Sequence, residues 1–135
     1  MTKFLDIVGD APESKFSVGE TLIQQGKPLK DLYILKEGEV EIRRNHAPIC
    51  RINSRGSCFG ELSALLGVDT IAAVVVTKPS TFAVVRDAAS FLSENHAATL
   101  EVARLLAYRV RWMTLSDSHQ PDDDDEDSLF WRSRV

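Results

Sequence analysis

Between Phe16 and Val85 the chain alternates short apolar runs with glycine-bearing breaks, a pattern of antiparallel strands in a sandwich or small barrel. The stretch FSVGETLIQQGKPLKDLYILKEGEVEIRRN carries it most clearly. Leu32 and Ile34 fall on one face and Tyr33 and Leu35 on the other, while Val40 and Ile42 alternate with Glu39, Glu41 and Arg43. Lys36-Glu37-Gly38-Glu39 reads as a turn, so these two runs are expected to form a hairpin with one wetter strand. PICRI (48–52) and STFAVV (80–85) read as further strands, with Gly56 and Pro79 marking turns between them. ELSALLG (61–67) departs from the alternation, and its Glu, Leu, Ser and Ala suit a short helix inserted into the β-domain.

From Asp87 the period becomes helical, with Ser93 or Asn95 placed to cap a long helix over roughly His96 to Leu115. Its apolar positions, Leu100, Val102, Ala103, Leu105, Leu106, Ala107, Val110, Trp112 and Met113, span more than the roughly 100° stripe that one buried contact needs. Two partners are therefore expected: the β-domain on one side and a second subunit on the other. A homodimer through this helix is the expected assembly.

A length of 135 residues with 44% hydrophobic content supports one packed core. The expected division is a domain over 1–118, with strands in about 16–86 and helices in about 87–115, followed by an acidic tail over 119–135. No uninterrupted run of 18 apolar residues occurs, and MTKFLDIVGDAPESK has no export-like leader, so no membrane association and a cytoplasmic location are expected. Cys50 and Cys58 are too few for a disulfide framework or a cluster site and read as reduced thiols.

Charge is unevenly placed. Of the net −4, residues 116–135 contribute seven acidic and two basic side chains, leaving the body close to neutral. KPLK and IRRN are short and separated, so no phosphate-backbone footprint is present and direct DNA binding is not expected. The DDDDED block should stay solvated, but SLFWRSRV places Leu129, Phe130 and Trp131 beside two arginines, residue types that dominate interface hot spots. That cluster is expected either to dock on the chain's own barrel or to meet a protein partner, or else to be a tail without a role.

The order of features resembles the cyclic nucleotide-binding domain, the effector module of bacterial catabolite-activator (CRP/FNR) regulators, protein kinase A regulatory subunits and cyclic-nucleotide-gated channels. The resemblance rests on Phe16, Gly19-Glu20, Leu22, Gly26, Tyr33-Ile34-Leu35, Gly38 and Val40, then on Gly56, Phe59, Gly60, Glu61 and Leu62, then on Phe91-Leu92 and Leu106-Ala107-Tyr108-Arg109. It covers about residues 15 to 115. What it implies is a mainly β fold with a C-terminal helix: an antiparallel, jelly-roll-like β-barrel, regulatory rather than enzymatic.

In that family FGELSALLGVDTIAAVVV would be the phosphate-binding cassette. The resemblance implies that Gly60 and the amides of Leu62 and Ser63 face a cyclic phosphate and that Glu61 accepts a hydrogen bond from the ribose 2′-hydroxyl. It also implies an arginine nine or ten residues later, where this chain has Thr70 or Ile71, followed by Ala72. The cassette lacks its cation. Losing one partner of a buried charge pair costs about 2–5 kcal/mol, or roughly thirtyfold to a few-thousandfold in affinity. Weak or absent binding of cAMP and cGMP is the leading expectation, with no cofactor.

Three arrangements remain open on the sequence. Arg109 could supply the missing charge, or simply pair with Glu61. A less anionic ligand could sit among Glu61, Ser63 and Thr70. Alternatively, Leu65, Leu66, Ile71 and Val74 could fill the pocket as core. In the resemblance Met113 and Thr114 lie where the helix contacts the base, although a methionine at helical spacing also suits core or interface. Trp112 suits a dimer contact. His46, His96 and His119 are isolated, with no H-x-H pair, and no nucleophile stands beside a base, so neither a metal site nor catalysis is expected. The family's bacterial activators follow the long helix with a helix-turn-helix; here an acidic tail follows, so the chain is expected to act as a stand-alone effector domain.

Overall fold

The structure, a computed structural model, describes residues 2–115. Helix α1 (Thr2–Ile7) precedes strands β1 (Glu13–Phe16), β2 (Thr21–Ile23), β3 (Leu32–Arg44), β4 (Ala47–Ile52) and β5 (Cys58–Phe59). Helix α2 (Glu61–Leu66) then leads to β6 (Ala73–Val85), α3 (Ala88–Glu94) and α4 (His96–Leu115). All pairings are antiparallel along the path β1-β6-β3-β4, with β2 attached to β6 and β5 to β3. The architecture is the expected one, mainly β with C-terminal helices, in an open roll whose path has two ends.

The long pair β3–β6 organises everything else. Its register runs from Leu32↔Val85 to Arg43↔Ala73, so the turn expected at Lys36-Glu37-Gly38-Glu39 is not there. Instead β3 continues through the segment with register shifts between Leu35 and Val40. Gly38 adopts φ 118°, and a Cβ on it would stand 2.1 Å from Ser80 Oγ, so the two strands touch where only hydrogen fits. Pro79, expected in a turn, lies within β6 beside this irregularity, where a missing N–H removes no regular ladder bond. The real hairpin is β3–β4. Arg44 pairs with Ala47 around Asn45 (φ 53°) and His46 (φ 68°), the left-handed two-residue connection that matches strand twist.

The bulge has a consequence for packing, because an extra residue reverses which face later side chains meet. Before it, Leu32 and Ile34 point to one core and Leu35 to the other, as the alternation predicts; after it, Val40 and Ile42 join Leu35. One core fills the roll with Leu35, Val40, Ile42, Ile52, Phe59, Val74, Val76 and Phe82. Phe16, Tyr33 and Phe59 all meet the Phe82 ring edge-to-face at centroid distances of 5.8 to 6.3 Å. The other core lies under the helices: Leu32, Ile34, Ala83 and Val85 from the sheet against Phe4, Leu5 and Val8 at the N-terminus and Leu92, Ala98 and Val102 from α3 and α4. Helix α1 has no counterpart in the sequence reading, since six residues are too few to display a helical period.

Asn95 is the cap of α4, its Oδ1 accepting a hydrogen bond from the Ala98 N–H at 3.0 Å. The wide apolar arc has a buried side and an exposed one. Val102, Leu105 and Leu106 pack on the helix-side core, while Leu100, Ala103, Ala107 and Val110 face outward. The side chains of Trp112 and Met113 lie outside the described residues, as do Leu129, Phe130, Trp131 and the rest of the acidic tail. Among the described residues no helix is long and apolar enough to cross a membrane.

Candidate functional site

The short helix expected at 61–67 is present as α2, entered through Gly60 in a left-handed conformation at φ 100°. A Cβ at Gly60 would come within 2.8 Å of the Asp31 carbonyl oxygen and of the Leu29 side chain, so both conformation and space call for glycine. The corner turns Glu61 inward, where it is 1% exposed. Arg109, arriving on α4 from 48 residues away, donates from Nη2 to Glu61 Oε1 at 2.7 Å. This buried contact joins the inserted helix to the C-terminal one.

Burial dominates the electrostatics of the pair. It pushes the Glu61 carboxyl up to about 8, with Arg109 and the residue's own backbone N–H opposing that shift without cancelling it. Burial also lowers Arg109, against the pull of Glu61, and raises the thiol of neighbouring Cys58 well above its usual value. Cys58 is accordingly a protonated, buried side chain and not a nucleophile. Among the described residues Glu61 Oε2 is buried without a hydrogen-bond partner.

Ser63 and Thr70 face structural partners. Ser63 Oγ accepts from the Leu29 N–H at 3.2 Å and donates to the Val68 carbonyl at 2.5 Å. Thr70 Oγ1 accepts from the Lys27 N–H at 3.2 Å and donates to the Gln24 carbonyl. The Thr70 backbone bonds to Lys27 O at 2.9 Å and accepts from Gly26 N at 2.8 Å. The loop from Gln24 to Asp31 is thereby sewn onto the cassette at both ends, with Leu29 lying on Gly60. Among the sequence features this loop was missed, and KPLK gave no signal beyond its two lysines.

A small cavity lies beside the cassette helix. Leu62, Ser63, Asp69, Thr70, Ile71 and Ala72, with Ile23, line a cavity of about 10 Å³, the size that one water occupies at most. Ile71 is partly buried against the roll core and Ala72 is 1% exposed. The expectation that Leu65 and Leu66 fill the pocket is corrected: they are 41% and 67% exposed, and only Val74 and Ile71 of that set join the core. An amphipathic helix of six residues has one inward face, which Glu61 and Ser63 already hold. Thr114 is exposed near the end of α4, so of the three expected helix contacts the described side chains bring only Arg109 to the cassette.

A family profile described as the cyclic nucleotide-binding domain matches residues 13–99. The chain belongs to that family. Solved cyclic nucleotide-binding folds align over most of it. The Thermus thermophilus catabolite activator protein aligns with 20% identity and a TM-score of 0.71, over 85% of this chain and 57% of that one. A cyclic nucleotide-binding domain from Methylobacillus flagellatus aligns with 19% identity and a TM-score of 0.68, over 90% and 85% of the two chains. The regulatory subunit of a cAMP-independent protein kinase A from Trypanosoma brucei aligns with 24% identity and a TM-score of 0.56, over 62% and 34%. This cyclic nucleotide-binding domain thus spans little more than half the length of the Thermus protein. Among its described residues no three His, Cys, Asp or Glu side chains are grouped to hold a metal ion.

Proposed function

We propose that this cyclic nucleotide-binding domain is a non-enzymatic regulatory or interaction module whose cassette serves as a structural joint, so that cAMP and cGMP bind weakly or not at all. The observation that carries the reading is the Glu61–Arg109 contact at 2.7 Å. The carboxylate that the family resemblance assigns to a ribose hydroxyl is already engaged by a residue of α4. Two further facts support it. Thr70, one of the two places where the resemblance puts the phosphate-binding arginine, spends its hydroxyl on the Gln24–Lys27 loop, and the adjoining cavity is about 10 Å³. The kinase regulatory subunit described as cAMP-independent offers a precedent in the same fold.

The outward row Leu100, Ala103, Ala107 and Val110 on α4 supports a second copy of the chain as partner, since its spacing of three and four residues is that of a helix-pair seam. A dimer in the cytoplasm, relaying a signal through protein contacts, is the form in which we expect the module to act.

One observation favours a second reading. Among the described residues Glu61 Oε2 lacks a partner, and a ligand hydroxyl is the kind of group that would satisfy it. In that case the domain is a cyclic-nucleotide sensor in which Arg109 supplies the cation and the Gln24–Asp31 loop opens. Calorimetric titration with cAMP and cGMP, beside the variants Thr70→Arg and Ile71→Arg, separates the two. Silence of the natural sequence with binding by a variant is the expected result. Micromolar binding by the natural sequence would overturn the first reading in favour of the second.

A further inference from the structure

Leu65, Leu66 and Val68 form an exposed aliphatic patch, 41%, 67% and 47% accessible, on the outer side of the cassette. We infer that this patch seats the chain's own C-terminal segment, with Leu129, Phe130 and Trp131 as its apolar anchors. The inference goes beyond the proposed function, because it holds whether or not a nucleotide binds.

The course of α4 brings the segment to this place. Arg109 fixes the helix against Glu61 at the start of α2, and six residues later, about 9 Å of helix, α4 ends at Leu115. The chain therefore leaves its last described residue near the cassette itself. Thirteen residues, Ser116 to Ser128, separate that point from Leu129. Fully extended they reach on the order of 40 Å, several times the length of α2, so the anchors can reach the patch without strain.

Charge agrees with this path. Lys27 and Lys30, both exposed, lie on the loop that Leu29 holds against Gly60 and Ser63, and the six acids Asp122 to Asp127 precede the apolar anchors. An acidic stretch that leads into apolar anchors thus meets an apolar patch with lysines beside it. A second copy seated through α4 uses a different row of residues and leaves this patch free.

The test uses the full chain carrying Trp112→Phe, so that Trp131 is the remaining indole. Its emission is compared with that of the same chain carrying Leu66→Glu or, separately, Val68→Glu; both positions are exposed enough that folding, followed by circular dichroism, is expected to survive. The expected result is a blue-shifted Trp131 emission that moves toward that of a water-exposed indole in both variants and does not change on dilution. Emission of a fully hydrated indole in the unsubstituted background would overturn the inference, as would a blue shift indifferent to both substitutions. A blue shift lost on dilution would also overturn it, and would assign the seat to the segment of a second copy.

Discussion

The interior of the roll and the ground beneath α4 are built from the two faces of the same pair of strands, yet they are stabilised in different ways. In the roll, Val40, Ile42, Val74, Val76 and Phe82 bury aliphatic and aromatic surface with no charged group among them. Each such side chain contributes about 1.5–3 kcal/mol by leaving water, and nothing has to be compensated. On the helix side, Leu32, Ile34, Ala83 and Val85 do the same, but the cassette adds a carboxyl and a guanidinium that are both almost wholly buried. A buried ion pair is weak evidence for stability, while losing one partner of it is costly. The difference teaches that the roll provides the fold, while Glu61 and Arg109 fix where α4 sits upon it.

The sharpest way to break this comparison acts on the roll at Gly38. A valine there would need φ 118° and would drive its Cβ into Ser80. The expected loss exceeds about 4 kcal/mol, read from urea unfolding, because strain and overpacking coincide. A loss below 1 kcal/mol would show that the bulge relaxes and that β3 and β6 do not depend on it.

Next in size is the joint. Measured above pH 8, where Glu61 is ionised, Arg109→Ala leaves its buried carboxylate without its partner and is expected to cost about 3–5 kcal/mol. The double variant Glu61→Gln with Arg109→Met is expected to recover most of that loss. If the single and double variants are equally unstable, the pair's packing volume matters and its charge does not.

The pH dependence sharpens the same point. Glu61 titrates at about 8 in the folded chain against an ordinary value of 4.5, so between these limits the native state holds a proton that the unfolded chain has released. The contribution of this group to stability is full below about 4.5 and falls as pH rises through 8. Unfolding free energies taken at intervals from pH 5 to 8.5 should therefore decline more steeply for the natural sequence than for Glu61→Gln; parallel curves would remove the assignment.

Smaller effects belong to the loop and to the open surface. Thr70→Val deletes the hydrogen bonds to Lys27 and Gln24 and is expected to cost about 1–2 kcal/mol, with faster amide exchange confined to residues 24–31. Exchange that quickens across the whole sheet instead would mean the loop belongs to the global folding unit. Val18→Ser, at a site 61% exposed, should change stability by no more than about 0.5 kcal/mol and serves as the control for the series.

The sequence by itself determined the β character of residues 16–85, the two faces of Leu32 to Leu35, the inserted helix at 61–66, a cap at Ser93 or Asn95 and the span of α4, because each depends on periodicity or on a local hydrogen bond. It also gave the family resemblance and the absence of an arginine at 70 or 71. It could not separate a turn from a bulge at Gly38, since a glycine between charged residues suits both and only the facing Ser80 decides. Nor could it find α1, whose six residues are helical because Phe4, Leu5 and Val8 have a core to enter. Above all, the state of the cassette was decided in three dimensions. Arg109 could have faced a ligand or Glu61, and Leu65 and Leu66 could have filled a pocket or faced water. Those choices depend on how α4 crosses α2 and how the Gln24–Asp31 loop lies on Gly60, contacts between residues far apart in the chain that no local pattern records.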